Sequence, residues 1–520
     1  MGPPSYRLAA AITVPSTGEF LVARQPRPPS PPDDEDYRCF VDSDLYDLPS
    51  APLKPLAGEA RSEAAIAGAE SVTGLDLSRL DVSAALEQIF DQFGLPDGMR
   101  GEWRLLKYVE EAEFGPDAGV NTVFIIGALE SKLDALPESC KWMTREPALR
   151  LLSEVKSGSD RIGPNAYIGL LNSELSSNSA AVPALPSQEY PPGITLVPMK
   201  SKTLQPFRTT NLVVVRATDG TGGSTCSDFF ACGDALLLDP GCSSQVHAEL
   251  ADLVDSLPKK LLVLVTHHHH DHIEGLSVVQ RHNPDAVLLT HQNTMNRIGK
   301  GNWQIEYTSI TGGEKICIGD QELQVIFAPG HTDGHMGLLH VSTNTLIVGD
   351  HCVGHGSATL DSRSGGNMKD YFETTYKFLD LSPHVLIPMH GRINLWPKHM
   401  LCGYLRNRRS REASILQSIE NGGRTLFEIV SKTYSDVDRK LWIPASFNVR
   451  LHVDHLNAQH KLPKDFSLEN FKASCGVHFI FRWAVAYMQS RSSPAILGAS
   501  ALAGGLAIAC ALRRNNGKQS

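Results

Sequence analysis

No Cys-x-x-Cys pair occurs in the chain. Its ten cysteines (Cys39, Cys140, Cys226, Cys232, Cys242, Cys317, Cys352, Cys402, Cys475 and Cys510) are scattered. Such usage excludes a disulfide framework and fits a reducing, intracellular setting. Basic charge is not in excess either. With a formal net charge of -9, no global field draws nucleic acid, so any RNA contact must use a local patch. The N-terminus lacks a charged stretch followed by an apolar core, which argues against a secretory signal. It is not Arg/Ser-rich over a long stretch, and strand-like sequence from Tyr6 leaves little room for a transit peptide. No internal repeat of fixed period is present. Long apolar runs are missing with one exception, Ala495–Leu512, preceded by Arg491-Ser492-Ser493-Pro494 and closed by Arg513 and Arg514. A membrane span needs about 17–25 such residues, and a basic flank favours the cytoplasmic side. The expectation is therefore a cytoplasmic-facing C-terminal anchor over 494–514 in an organelle membrane. The competing reading is a buried Ala/Gly-rich helix.

The composition that remains is globular, with 42% hydrophobic and 20% charged residues over 520 positions, enough for about three domains. Residues 1–170 read as α+β or α/β. Leu8–Val14 and Phe20–Ala23 predict a hairpin across Ser16-Thr17-Gly18, and Pro28–Asp36 a mobile loop. Ala60–Ser71 predicts a helix stopped at Gly74, and Val82–Phe93 a second one. Trp103–Val109 and Thr122–Ala128 read as strands. Residues 171–206, rich in Ser and Pro, predict an interdomain linker. Residues 207–400 alternate apolar runs, among them Ala235–Leu238, Leu261–Val265, Gln324–Phe327, Leu346–Val348 and Val385–Ile387, with helical stretches. That is a layered α/β domain. Residues 401–464 predict a small helical appendage, and 465–493 a helical connector.

The chemistry is concentrated where the buried runs end. Leu261-Leu262-Val263-Leu264-Val265 gives way to Thr-His-His-His-His-Asp-His, placing His267, His269, Asp271 and His272 at a strand end. His331 follows the run ending at Phe327, Asp350 follows Leu346–Val348, and His390 follows Val385–Ile387. In open α/β layers this edge is where ligands bind. The adjacent Gly330, Gly349 and Gly391 allow sharp turns. Imidazole and carboxylate are the ligands zinc prefers, and zinc lowers the pKa of its bound water to about 7. A hydrolase needs hydroxide at neutral pH, and seven ligands with one bridging carboxylate suit a pair of metals about 3.5–4 Å apart. His267 and His269 can converge on one metal while Asp271 and His272 turn to the other. Four adjacent histidines alone would equally make a solvated, metal-sticky tract; the three downstream groups decide for a centre. His268, His270, His291, His335, His351 and His355 are read as structural or solvated.

His-x-His-x-Asp-His at 267–272, with His331, Asp350 and His390, resembles the metallo-beta-lactamase superfamily over about Thr210–Arg392. The resemblance implies a four-layer αββα sandwich with two divalent metal ions, Zn2+ by family habit. His267, His269 and His331 would hold one metal, and Asp271, His272 and His390 the other. Asp350 would bridge them, and Asp271 would also orient the attacking hydroxide. Asp239-Pro240-Gly241 looks like the superfamily's early Asp-x-Gly motif. Pro-Gly-His-Thr-Asp-Gly-His-Met at 329–336, with the helical appendage, resembles the beta-lactamase-like protein 2 family. That branch implies a winged-helix-like C-terminal domain and cleavage of single-stranded RNA. Arg406, Arg408, Arg409 and Arg411 could supply the local basic patch, or simply a solvated helix face. A hydroxyacylglutathione hydrolase-like thioesterase is the alternative, since Thr-His-x-His-x-Asp-His and Gly-His-Thr occur there too. A lactamase is disfavoured, because Asp350 stands where the common lactamase pattern has cysteine. Tyr6–Ala128 resembles a Nudix-like fold, with Asp47-Leu48-Pro49 and Thr73-Gly74-Leu75. Where the Nudix box would carry Arg-Glu and Glu-Glu, this chain has Ala67-Gly68 and Ser71-Val72, so Nudix activity is not expected.

Overall fold

The computed structural model describes residues 3–57, 66–68, 75–94, 102–133, 135–154, 160–171, 185–217, 228–299, 301–304 and 306–491. Two units separate by contact. The first comprises residues 1–358 and 370–405, the second 359–369 and 406–520.

Within the first unit, two sheets form the core that positions the site. One has seven strands in the order Gln188–Glu189, Ile194–Lys200, Thr209–Arg216, Ala235–Leu238, Leu261–Leu264, Val287–Thr290, Tyr307–Ser309. The other has six, in the order Ala231–Gly233, Lys315–Ile318, Gln321–Phe327, Met336–His340, Thr345–Gly349, Val385–Pro388. The period-two alternation of the apolar runs explains the layering. Leu236, Leu238, Leu262 and Leu264 pack with Ile316, Val325, Leu338, Ile347 and Ile387 between the sheets. Their neighbours Leu237, Leu261, Val263 and Val265 face the other way and pack with Leu250, Leu253, Val278 and Val279. Those four lie on the helices His247–Asp255 and Leu276–His282. Each such buried aliphatic side chain contributes about 1.5–3 kcal/mol, and truncating Leu264 to Ala would cost about 2–5 kcal/mol.

Ala235–Leu238, Leu261–Leu264 and Val287–Thr290 run parallel, so their carboxyl ends share one edge. Leu238 pairs with Leu264, which brings Asp239 alongside Val265 and Thr266. Thr345–Gly349 and Val385–Pro388 are also parallel, and the Gly349–Pro388 pairing sets Asp350 next to Met389 and His390.

The N-terminal residues build a nine-stranded sheet around the parallel pair Ser5–Val14 and Val120–Ala128. The hairpin of Ser5–Val14 with Glu19–Arg24 is present. The helix Val82–Phe93 also forms, capped by Asp81, whose side chain accepts from the Ala84 amide, and ended by Gly94 at φ 62°.

Three local expectations change. Within Ala60–Ser71 the described residues Ile66–Ala67 are a strand paired to Trp103–Arg104, not helix; residues 58–65 and 69–74 lie outside the described residues. The 28–36 loop runs into a short helix, Glu35–Cys39, capped by Asp34. The linker expected over 171–206 instead contributes the strands Gln188–Glu189 and Ile194–Lys200 to the seven-stranded sheet; 172–184 lie outside the described residues.

The second unit is helical among its described residues. Leu426–Thr433 begins with a capping box between Thr425 and Glu428. It packs with Trp442–Ala458, Leu468–Ala473 and Val477–Arg491 around Ile415, Ile429, Val449, Phe471 and Phe479. The expected membrane anchor at 494–514 is corrected. No helix among the described residues is long and apolar enough to cross a membrane, and the segment itself lies outside them. The preceding helix, Val477–Arg491, carries Arg482 and Arg491, and charge within so short a helix is costly in hydrocarbon.

Candidate metal centre

Strand ends of the two sheets bring all seven expected residues together. Thr266 ends the buried run, and His267 is wholly enclosed. The chain then turns so that His269 precedes a single helical turn, His270–Ile273. That turn requires Gly241, because a Cβ there would lie 1.8 Å from the Asp271 carbonyl oxygen. His267 Nε2 and His331 Nε2 each stand 3.0 Å from His269 Nδ1. Three nitrogens bound at 2.0–2.1 Å to a tetrahedral zinc would be about 3.3 Å apart, so the trio is close to ligand geometry.

The second cluster is Asp271, His272 and His390. Asp271 Oδ2 lies 3.4 Å from His390 Nε2, and Asp271 Oδ1 lies 3.8 Å from His272 Nε2. Asp350 Oδ2 stands between the clusters, 3.9 Å from both His267 Nε2 and His331 Nε2 and 3.5 Å from both His272 Nε2 and His390 Nε2. The ligand atoms of His267, His269, His331 and Asp350 lie within 4.8 Å of one another, as do those of Asp271, His272 and His390. His272 Nε2 and Asp350 Oδ1 are buried without a hydrogen-bond partner. Buried polar atoms left unpaired are costly, and a divalent cation would satisfy them. The residues therefore fit a metal pair.

The other ring nitrogens explain the orientation. His272 Nδ1 donates to Asp239 Oδ2 at 2.8 Å, and His390 Nδ1 to the Thr209 carbonyl at 2.8 Å. Asp239 is fixed by the Thr266 amide at 2.7 Å and the Thr266 hydroxyl at 2.6 Å, and that hydroxyl also meets His267 Nδ1 at 3.0 Å. With the Nδ1 edges engaged, the Nε2 edges face the centre. Asp239 also lies within ligand distance of His267 and His272. Its two oxygens are already taken by Thr266 and His272, which makes it an orienting residue rather than a ligand.

The electrostatics split the two clusters. Burial, reinforced by neighbouring imidazoles, pushes His267 and His331 well below the usual histidine range. They are neutral and ready to ligate. Burial opposes charge on His390 and His272 as well, but there the carboxylates prevail. Asp350 and Asp271 lift His390 to about 10, and Asp350, Asp271 and Asp239 lift His272 well above its ordinary value. Against burial, His272 and His390 pull Asp271 down to about 2. Asp350 is likewise held well below the carboxylate range by His390 and His272. Without a cation the carboxylates draw protons onto these rings; a divalent cation would take the place of those protons.

Sequence reasoning under-read three residues. Asp239 was visible in its Asp-x-Gly motif but carried no role, because its partner His272 is distant in sequence. Thr266 was visible only as the head of the histidine tract. His335 is structural, one of the two readings its sequence allows, but its place is more specific: it is wholly buried beside the centre. It donates from Nδ1 to the Ala328 carbonyl at 3.0 Å and accepts the Asp350 amide at Nε2 at 3.1 Å. The arginine cluster also changes meaning. Arg408 is buried and donates to Asn448 at 3.2 Å, while Arg411 donates to the Thr433 carbonyl at 3.0 Å and lies over the Tyr434 ring. Two of the four cations therefore serve the helical unit's own packing.

Comparison with known protein families agrees with this architecture. Residues 221–390 match the metallo-beta-lactamase superfamily, and 425–465 match the beta-lactamase associated winged helix domain. The chain is 25% identical to the beta-lactamase-like protein 2 homolog of Drosophila melanogaster over 242 residues, 44% of this chain and 80% of that one. It is 28% identical to a hydroxyacylglutathione hydrolase of Yersinia enterocolitica over 227 residues, 44% of this chain and 81% of that one. A solved beta-lactamase domain protein from Burkholderia ambifaria aligns at 17% identity with a TM-score of 0.45, covering 57% of this chain and 95% of that one. The chain thus carries a metal-dependent hydrolase domain of the metallo-beta-lactamase superfamily, followed by a beta-lactamase associated winged helix domain.

Proposed function

We propose that this protein is a zinc-dependent metallohydrolase with a dinuclear centre, and that its substrate is single-stranded RNA. The observation that carries the dinuclear reading is Asp350 Oδ2, placed between the two clusters at 3.5 and 3.9 Å from four imidazole nitrogens. His267, His269 and His331 would hold one cation, Asp271, His272 and His390 the other, and Asp350 both. Bound there, such a pair supplies a nucleophile at neutral pH from water and polarises the scissile bond. Asp271 is the residue with a proton to handle. Its carboxylate sits at the less enclosed side of the centre, 14% exposed and strongly acidic, so it can accept a hydrogen bond from the attacking water and orient it. Asp239 and Thr209 keep the rings in place while this occurs.

The RNA reading rests on the winged-helix match and on the similarity to a beta-lactamase-like protein 2 homolog. The second reading, hydrolysis of a small thioester, is favoured by the hydroxyacylglutathione hydrolase similarity, of equal extent. Incubating the zinc-loaded chain with single-stranded RNA and with S-acyl glutathione separates them. Cleavage of RNA that is lost in Asp271→Ala is the expected result; turnover of the thioester alone would replace the first reading with the second. On this proposal the domains are 1–170, 188–400 and 401–464, the second including the strands Gln188–Glu189 and Ile194–Lys200, and the first is a Nudix-like module that performs no diphosphate hydrolysis. Diphosphatase activity that survives Asp271→Ala would overturn the last point.

A further inference from the structure

Three charged side chains from the N-terminal region reach one short stretch, 384–399, and that stretch carries His390. Arg161, 4% exposed, donates through Nη1 to the carbonyls of His384 and Leu395, and through Nη2 to that of Ser43 at 3.3 Å. Asp42, 2% exposed, accepts the amides of Lys398 at 3.0 Å and His399 at 2.9 Å, capping the helix Pro397–Glu420. Glu111 grips Arg392 with two parallel bonds, Oε1 to Nε at 2.6 Å and Oε2 to Nη2 at 2.9 Å. Arg392 Nη2 also donates to the Ala118 carbonyl at 2.9 Å, and Glu111 Oε2 is fixed by the Val120 amide at 2.6 Å.

A fourth contact reaches the ring itself. The Thr209 hydroxyl donates to the Glu113 carbonyl at 3.2 Å, and the Thr209 carbonyl accepts from His390 Nδ1 at 2.8 Å. The stretch is thus held before His390, two residues after it, and again at the following helix. A bidentate carboxylate–guanidinium pair fixes orientation as well as distance, which a single ionic contact would not. His267, His269 and His331 follow other strands, Leu261–Leu264 and Gln321–Phe327.

We propose that Glu111 is a positioning residue of the metal centre: through Arg392 it holds His390, so the metal position formed by Asp271, His272 and His390 depends on the N-terminal region. This rests on the dinuclear reading above. It gives the N-terminal region a task in which it need turn over no substrate of its own.

The test uses the full chain with Co2+ as probe at buffered free metal, reading bound equivalents, affinities and the visible spectrum. Wild type should hold two equivalents. Glu111→Gln should keep the first at unchanged affinity and bind the second about tenfold or more weakly, the usual effect of losing an outer-sphere support. Its cobalt spectrum should change only in the second increment. Exchanging the charges, Glu111→Arg with Arg392→Glu, should recover part of the second affinity. Two equivalents at wild-type affinities in Glu111→Gln would overturn the proposal, whereas fewer than two in wild type would overturn the dinuclear reading instead. If Glu111→Gln does not fold, Arg392→Lys, which keeps the charge and loses the fork, is read by the same two outcomes.

Discussion

Nδ1 of His272 meets Oδ2 of Asp239 at 2.8 Å, and both side chains are wholly buried. The pair has a cost and a return. Asp239 is held at φ 47°, a conformation L-residues adopt at a penalty of about 1–2 kcal/mol. In return the imidazole is turned so that Nε2 faces the centre. Asp239→Asn keeps the shape and removes the charge. Metal affinity should fall about 10- to 100-fold, the range for lost second-layer partners, as read by chelator competition. An unchanged affinity would show that Asp239 does not orient His272 for metal.

Asp271 should separate chemistry from folding. Asp271→Ala should lower the hydrolytic rate on any accepted substrate by about 10²–10⁴-fold. The fold should survive, with a lower thermal midpoint in the metal-free protein, where Asp271 pairs with the charged rings of His272 and His390. Steady-state rates at saturating metal, paired with a melting curve, make the check. Wild-type rates in the variant would remove Asp271 from the mechanism.

Much of this centre was legible because buried strands announce their ends. Apolar runs such as Leu261–Val265 stop abruptly, and within each sheet parallel pairs bring such stops together. Gln321–Phe327, antiparallel to both neighbours, delivers His331 from its own end. Candidate ligands far apart in sequence could therefore be grouped from the strand ends alone. What the sequence hid was set by partners. Asp239 takes its role from His272, and His335 from the Asp350 amide, contacts that no local pattern encodes. Ile194–Lys200 escaped notice because Pro198 interrupts it and Pro191-Pro192 precede it. In the sheet its outer neighbour pairs only at Thr195 and Leu196, so the missing amide of Pro198 breaks no ladder bond on that side. The Arg406–Arg411 cluster read as charge, while Arg408 and Arg411 are spent on packing.

Gly349 gives a test of the turn that delivers Asp350. It sits at φ 58°, and a Cβ there would come within 2.3 Å of His335 Nε2. Gly349→Ala combines backbone strain with a clash against a buried ring, so a loss of about 2 kcal/mol or more is expected. The displaced Asp350 amide should also release His335. Denaturant unfolding of the metal-free protein measures the first effect. A variant as stable as wild type would show that the turn relaxes freely and that Gly349 is not needed for its conformation.

In the helical unit, Glu412 Oε2 accepts from His452 Nδ1 at 3.1 Å and from His455 Nδ1 at 2.7 Å. Burial would raise this carboxyl, but the two imidazole donors prevail and hold it at about 2. Burial, partly offset by Glu412, keeps His452 below its usual value, so that ring donates as the neutral species. The sign follows from linkage. A carboxyl more acidic folded than unfolded adds stability above its unfolded pKa of about 4.3 and loses it as pH falls toward the folded value. Comparing wild type with Glu412→Gln by thermal unfolding across pH should show wild type more stable at pH 6, with the gap closing below about 4.5. A gap that stays constant to pH 3 would mean that the two histidines do not hold the carboxylate charged, and that Glu412 stabilises the helices by shape alone.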